Sequence, residues 1–195
     1  LITPLPVVFA IMLNEVRHRS YAKFVQSITT FPNFISWVIV YSLAFSLFST
    51  DGVINTILMN LGIIDRATNV LSDADAVYWF QMCLNIWKSL GWNSIVYLAA
   101  ISGISQELYE AAAVDGAGRF RQILHITVPG IAETFVVLLL LSIGNFFSVG
   151  FDQYFIFQNP VTLKNLEVLD LYVYRLGLVN QSYSYSTAIG MVKSV

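Results

Sequence analysis

The sequence predicts an all-α, polytopic membrane protein, and three observations carry that expectation. Hydrophobic residues fill 56% of the 195 positions and charged residues only 11%, against about 25% charged in an ordinary soluble domain. Three stretches, 31–49, 77–101 and 129–150, come close to the ~20 mostly apolar residues that a helix needs to cross a bilayer. Inside hydrocarbon each backbone donor and acceptor must be satisfied within its own segment, which selects helices. The formal charge of -2 excludes a generally basic, nucleic-acid-binding surface, so the Lys and Arg residues inform by their placement.

Residues 1–13 are apolar but too short to span, and their basic neighbours Arg17 and Arg19 follow them. A signal peptide carries its charge before the apolar region. The run is expected to be the exit half of a truncated transmembrane helix, and 187–195 the start of a further one, in a chain read as a fragment of one transmembrane domain over 1–195. The 31–49 stretch is uncharged, with Pro32 expected in its first helical turn, where the missing donor costs least. Segment 14–30 carries Arg17, Arg19 and Lys23, whereas 50–76 sets Asp51, Asp65, Asp73 and Asp75 against Arg66 alone. The positive-inside rule then places 14–30 in the cytoplasm and 50–76 outside. Alternation puts Arg119 and Arg121 in the cytoplasm and 151–186 outside; Lys164 and Arg175 match them in number, so orientation rests on the first segment. Apolar residues at helical spacing over 53–64 and 166–178 predict short interfacial helices in both outer loops. Cys83, alone in an apolar run, is expected as a small buried hydrophobe.

The segment 109–131 between the second and third apolar stretches combines a helix start, a glycine break and a proline stop. Ser105 is a candidate N-cap, with Glu107 and Glu110 following where the positive helix end favours carboxylates. A helix over 106–115 is predicted to end at Gly116, free to adopt a left-handed conformation. A second helix over 119–128 carries Phe120, Ile123, Leu124 and Thr127 on one face, expected against neighbouring helices, and Pro129 is expected to separate it from the next span. Ala111, Ala112 and Ala113 keep the first helix thin. The pair reads either as an element gripped by a partner or as an ordinary interfacial loop.

The spacing of Glu110, Ala111, Ala112, Gly116, Ile126 and Pro129 resembles the EAA loop of permease subunits in bacterial ATP-binding-cassette importers, with Val128 in place of the usual Leu. EAAAVDGAGRF is similar to the carbohydrate, maltose-type version. LNEVRHRSYAKFVQSITTFPNFISWVIV, WKSLGWNSIVYLAAISGISQELYEAAAVDGA, GFDQYFIFQNP and DLYVYRLGL resemble the subgroup that imports polysaccharide-derived oligosaccharides such as aldouronate or alginate fragments. The resemblance covers nearly the whole chain. It implies the transmembrane domain of a type I importer, with a coupling loop over about 105–128 that docks on a cytoplasmic ATPase. The coupling residues it implies are Glu110, Ala111, Ala112, Asp115, Gly116 and Pro129, with Glu110 meeting an arginine of the ATPase. It further implies a second permease, two ATPase subunits holding ATP and Mg, an extracytoplasmic solute-binding protein, and a multi-pass location in the bacterial cytoplasmic membrane. No cofactor is expected in this chain.

Polar residues inside the apolar stretches are the candidates for a substrate path. A charge near the bilayer centre costs on the order of 3 kcal/mol, so Lys88 is expected to face protein or a watery cavity. Lys88 either draws an anionic sugar, with Asn85, Asn93 and the stacking faces of Trp87 and Trp92 nearby, or pairs with a carboxylate or reaches the interface. In the third stretch, Ser142, Gly144, Asn145, Ser148 and Gly150 permit close helix packing; Asn145, expected mid-span, could donate to a sugar hydroxyl. His18 and His125 belong to no nucleophile or metal constellation, Asp73 and Asp75 read as a solvated loop face, and no GxxxxGK[ST] loop is present to bind ATP. The competing functions are an importer of the same architecture for another solute, and a polytopic scaffold or membrane enzyme without ATP coupling.

Overall fold

The computed structural model of the chain describes residues 4–148 and 150–194. Leu1 to Thr3, at the start of the expected 1–13 run, Val149 within the third stretch and Val195 at the end of 187–195 lie outside the described residues. The helices are α1 (Pro4–Asn14), α2 (Arg19–Thr30), α3 (Trp37–Phe48), α4 (Val53–Asn60), α5 (Ala76–Ser102), α6 (Gln106–Val114), α7 (Arg119–Gly130), α8 (Ala132–Gly144), α9 (Phe151–Phe157), α10 (Leu169–Tyr174) and α11 (Tyr183–Ser194). The described residues contain no strand, as the all-α class requires.

The chain divides into two compact units, residues 1–34 with 85–143 and residues 35–84 with 144–195, and α5 contributes to both. The first unit is built on Ala10, Tyr97, Ile101 and Ile131, with Val7, Ile104 and Phe135 packed around them. Within it α2 runs back along α5: a Cβ on Gly91 would lie 2.2 Å from the Thr29 carbonyl oxygen, so only glycine admits this approach. Segment 14–30 is therefore mostly a helix packed on the second apolar stretch rather than an extended connection. Three apolar residues of that packed segment, Tyr21, Phe24 and Ile28, and Phe31 just after it remain exposed at helical spacing.

The second unit holds α3, α4 and the segments expected as outer loops. Its core is Val40, Ala44, Leu71, Val77, Phe157 and Leu166, with the Tyr41 ring edge-on to Phe157 at 5.0 Å. Asparagine side chains stitch the loops into this core. Asn55 donates to the carbonyls of Ser49 and Thr68 at 2.8 and 2.6 Å, Asn159 to Leu71 at 2.9 Å, and Asn165 to Ala74 at 2.6 Å. Asp73 accepts from the amides of Asp75 and Ala76, so one of the two loop acids caps the start of α5. The short helices expected over 53–64 and 166–178 are present as α4 and as α10 with its widened continuation Arg175–Val179.

Several boundaries differ from expectation. Pro32 does not open a membrane helix: Phe31–Phe34 is a 3-10 turn that prolongs α2, and the helix restarts after Ser36, whose hydroxyl accepts from the Ile39 amide at 3.4 Å. Among the described residues one helical stretch is by itself long and apolar enough to cross a membrane, Trp37–Asn60 rather than 31–49. The pair α7 and α8, bent by 54° about Ile131, would be a second if counted as one span. Pro129 lies inside α7 and does not end it. It cannot donate to the His125 carbonyl, and a π-type widening over Ile123–Thr127, in which Val128 N–H bonds to Ile123, makes room for its ring. Cys83 is exposed, because the buried stripe of α5 runs through Val77, Gln81 and Lys88.

Candidate functional site

Helix α6 forms where the sequence predicts. The Ser105 hydroxyl accepts from Glu107 N–H at 3.3 Å, placing Glu107 in the first turn. At the far end Ala117 N–H reaches the Ala112 carbonyl at 2.8 Å and Gly116 N–H the Ala113 carbonyl at 3.1 Å, with Gly116 left-handed at φ +75. That is a Schellman closure. Nothing lies within 4 Å of where a Gly116 side chain would begin, so glycine is required there by backbone angle alone. Gln122 then donates to the Ala117 carbonyl at 3.1 Å, tying α7 to the turn.

None of the nine residues of α6 is buried. Leu108 is 54% exposed, Val114 89% and Phe120, at the start of α7, 74%. The expected packing of Phe120 against neighbouring helices is thus not found; on the predicted face Thr127 alone is buried, at 1%. Glu110 is exposed and makes no ion pair among the described residues. Ala111 and Ala113 are exposed and Ala112 half-buried, beside Asp115 at the C-cap. The helix is held by two contacts that its sequence pattern did not reveal. The Tyr109 hydroxyl meets the Thr127 hydroxyl at 2.9 Å, and Ile104, just before the N-cap, sits where a Cβ of Gly130 would be, 2.6 Å away. The helix thus presents exposed apolar side chains and an exposed carboxylate while being fixed at one side, a surface with the composition of a docking element.

The substrate-path candidates divide. Asn85, Lys88 and Trp92 share one face of α5 by spacing, while Trp87 and Asn93 turn to others, so the five do not form one cluster. Lys88 is buried, and its ammonium donates to the carbonyls of Asn33 at 2.8 Å and Pro32 at 3.2 Å. These carbonyls end a 3-10 turn, and the cation satisfies oxygens that no further helical turn can reach. Phe34 stands edge-on to Trp92 at 5.7 Å. Trp87 and Asn93 are exposed and Asn85 half-buried. Asn145 is not mid-helix: α8 stops at Gly144 and Asn145 opens a turn in the second unit. Ser142, Gly144 and Asn145 are weak helix formers. Sequence reading missed the most buried polar pair, Gln81 and Gln153, whose side chains bond at 2.7 Å. No alternation of residue types flags two glutamines far apart in sequence.

Residues 4–192 match the family described as "Binding-protein-dependent transport system inner membrane component". The chain is 44% identical over 196 residues to Protein LplB of Bacillus subtilis (strain 168), covering 98% of this chain and 60% of that protein. It is 43% identical over 195 residues to the polygalacturonan/rhamnogalacturonan transport system permease protein YteP of the same organism, covering 98% and 59%. A solved structure of a bacterial alginate ABC transporter, in complex with alginate pentasaccharide-bound periplasmic protein, aligns with TM-score 0.91 at 41% identity, covering 98% of this chain and 66% of that chain. The chain thus spans about 60% of the length of the curated relatives it matches.

Proposed function

Because the chain belongs to the family of binding-protein-dependent transport system inner membrane components, we propose that it is a permease subunit of an ATP-driven importer of oligosaccharides, acidic polysaccharide fragments in particular. The observation that carries this reading is α6: a capped helix with no buried residue, bearing a Glu110 that makes no ion pair among the described residues and the exposed apolar side chains of Leu108 and Val114. A cytoplasmic ATPase subunit covers it, with an arginine against Glu110. ATP and Mg stay on that subunit, and this chain has no ATPase site of its own. The protein lies in the bacterial cytoplasmic membrane, crosses it several times, and pairs with a second permease. The segments 50–76 and 151–186, joined through Asn159 and Asn165, face outward and receive a solute-binding protein. The acidic cargo is argued from the relatives named for polygalacturonan and alginate transport.

Force enters through α6. Closure of the ATPase dimer moves the docked helix, the Tyr109–Thr127 bond carries that motion into α7, and the bend at Ile131 passes it to α8. Co-purification tests the reading: the wild-type protein is expected to bring down an ATPase subunit, and Glu110→Lys to lose it and abolish uptake while the chain stays in the membrane. Normal uptake by Glu110→Lys would remove the coupling role. Presenting neutral and uronate oligosaccharides to the cognate binding protein tests the cargo, and binding of neutral sugars alone would refute the acidic assignment.

A further inference from the structure

At the end of the first unit that carries α6, the last turn of α1, the first turns of α2 and Leu98 of α5 enclose a pocket of about 320 Å³, within the range of small-ligand sites. Arg17, Arg19 and Lys23 line it, with the amide side chains of Asn14 and Gln26 between them. Glu15 is the one carboxylate in the connecting segment, and it does not line the pocket. Among the described residues the three cations make no ion pair. The remaining wall is apolar, Leu13 and Leu98 among it.

We propose that this pocket holds the phosphodiester headgroup of an anionic membrane phospholipid, so that the chain carries a built lipid site beside its coupling helix. Three cations with two neutral amide donors match a phosphodiester, and guanidinium forks present paired donors to phosphate oxygens. The source is lipid rather than free phosphate because of the surroundings. The apolar wall continues the polar one, and the opposite face of α2 and the turn that prolongs it exposes Tyr21, Phe24, Ile28 and Phe31, a surface suited to hydrocarbon. Basic pockets between helices at the cytoplasmic side of a membrane protein are where anionic headgroups bind. The cytoplasmic placement rests on the proposed function, since Leu98 stands one turn before the end of α5, close to the start of α6.

The test uses the full-length protein purified with its co-purifying subunits, and native mass spectrometry in mixed phosphatidylglycerol and phosphatidylcholine. The wild type is expected to retain phosphatidylglycerol, and the triple variant Arg17→Gln, Arg19→Gln, Lys23→Gln to hold it about 100-fold more weakly while still bringing down the ATPase. Equal retention by both proteins would overturn the proposal. So would displacement of the lipid by millimolar inorganic phosphate, which would make the site one for a free anion. Loss of the ATPase with lipid retained would also overturn it and assign the cations to the partner subunit. Failure of the wild type to bring down any ATPase would count against the importer reading instead, and lipid retention is read independently of it.

Discussion

The Tyr109 hydroxyl lies 2.9 Å from the Thr127 hydroxyl, joining a helix with no buried residue to the one buried residue of α7. Tyr109→Phe and Thr127→Val should each lower stability by about 1 kcal/mol. The double variant should lose little beyond the larger single loss, because both remove the same bond. Each should also consume more ATP per sugar imported. Thermal unfolding of the four proteins and the ratio of hydrolysis to uptake check this; strictly additive stability losses would show that the hydroxyls do not interact.

Gly116 sits at φ +75 with open space beside it. Gly116→Ala should cost about 1 kcal/mol through backbone conformation alone, and Gly116→Asn less. Gly116→Pro also removes the N–H that closes on Ala113, so it should uncouple: hydrolysis persists and uptake collapses. Uptake and hydrolysis measured in parallel decide it, and uptake near normal in the proline variant would contradict the role given to this turn.

Lys88→Met strips the ammonium from the Pro32 and Asn33 carbonyls and is expected to cost about 1–3 kcal/mol, seen as reduced yield and earlier thermal unfolding. Lys88→Arg should recover part of that. If the buried charge also draws acidic cargo, the Met variant raises the apparent KM for uronate oligosaccharides more than for neutral ones. Equal changes for both cargoes would leave Lys88 a purely structural cap. Asn145→Ala, in the turn after α8, tests the other candidate by the same uptake assay.

The Gln81 and Gln153 side chains are bonded at 2.7 Å in the second unit, where the Gln81 side-chain nitrogen is buried with no partner among the described residues. Gln153→Leu alone should cost about 1–3 kcal/mol by orphaning Gln81. Leu at both positions should be nearly neutral, because the buried polar demand disappears with both partners. A double variant less stable than either single variant would count against this account.

Much of the candidate docking site was legible because its signals are local. Ser105, Glu107 and Gly116 act on their own backbone within a turn, and the order in which they occur is enough to draw α6. The α5 boundaries were legible for the same reason, as one long apolar run. What escaped depends on partners distant in sequence. That α2 is a packed helix follows from Gly91 meeting Thr29, and a glycine does not announce what it will touch. Lys88 reads as a solitary charge until the carbonyls of the Phe31–Phe34 turn are placed beside it. Pro129 reads as a stop because the widened turn that tolerates it has no residue signature. Family membership came from the motif and the matched relatives, and composition alone would have left only a helical membrane protein.

The apex of the 54° bend, Ile131, is only 2% exposed and belongs to the first unit's core, so under the proposed coupling it would be the fulcrum. Thr127, where Tyr109 ties α6 to this arm, stands about 6 Å from it, and the thirteen residues of α8 extend about 20 Å along the other. With both arms rigid, the geometry is a lever with a gain of about three. Under that proposal a shift of about 1 Å at the Thr127 hydroxyl would become a swing of about 3 Å at the far end of α8. A displacement no larger than the slack in a hydrogen bond is thereby amplified to the width of a water molecule.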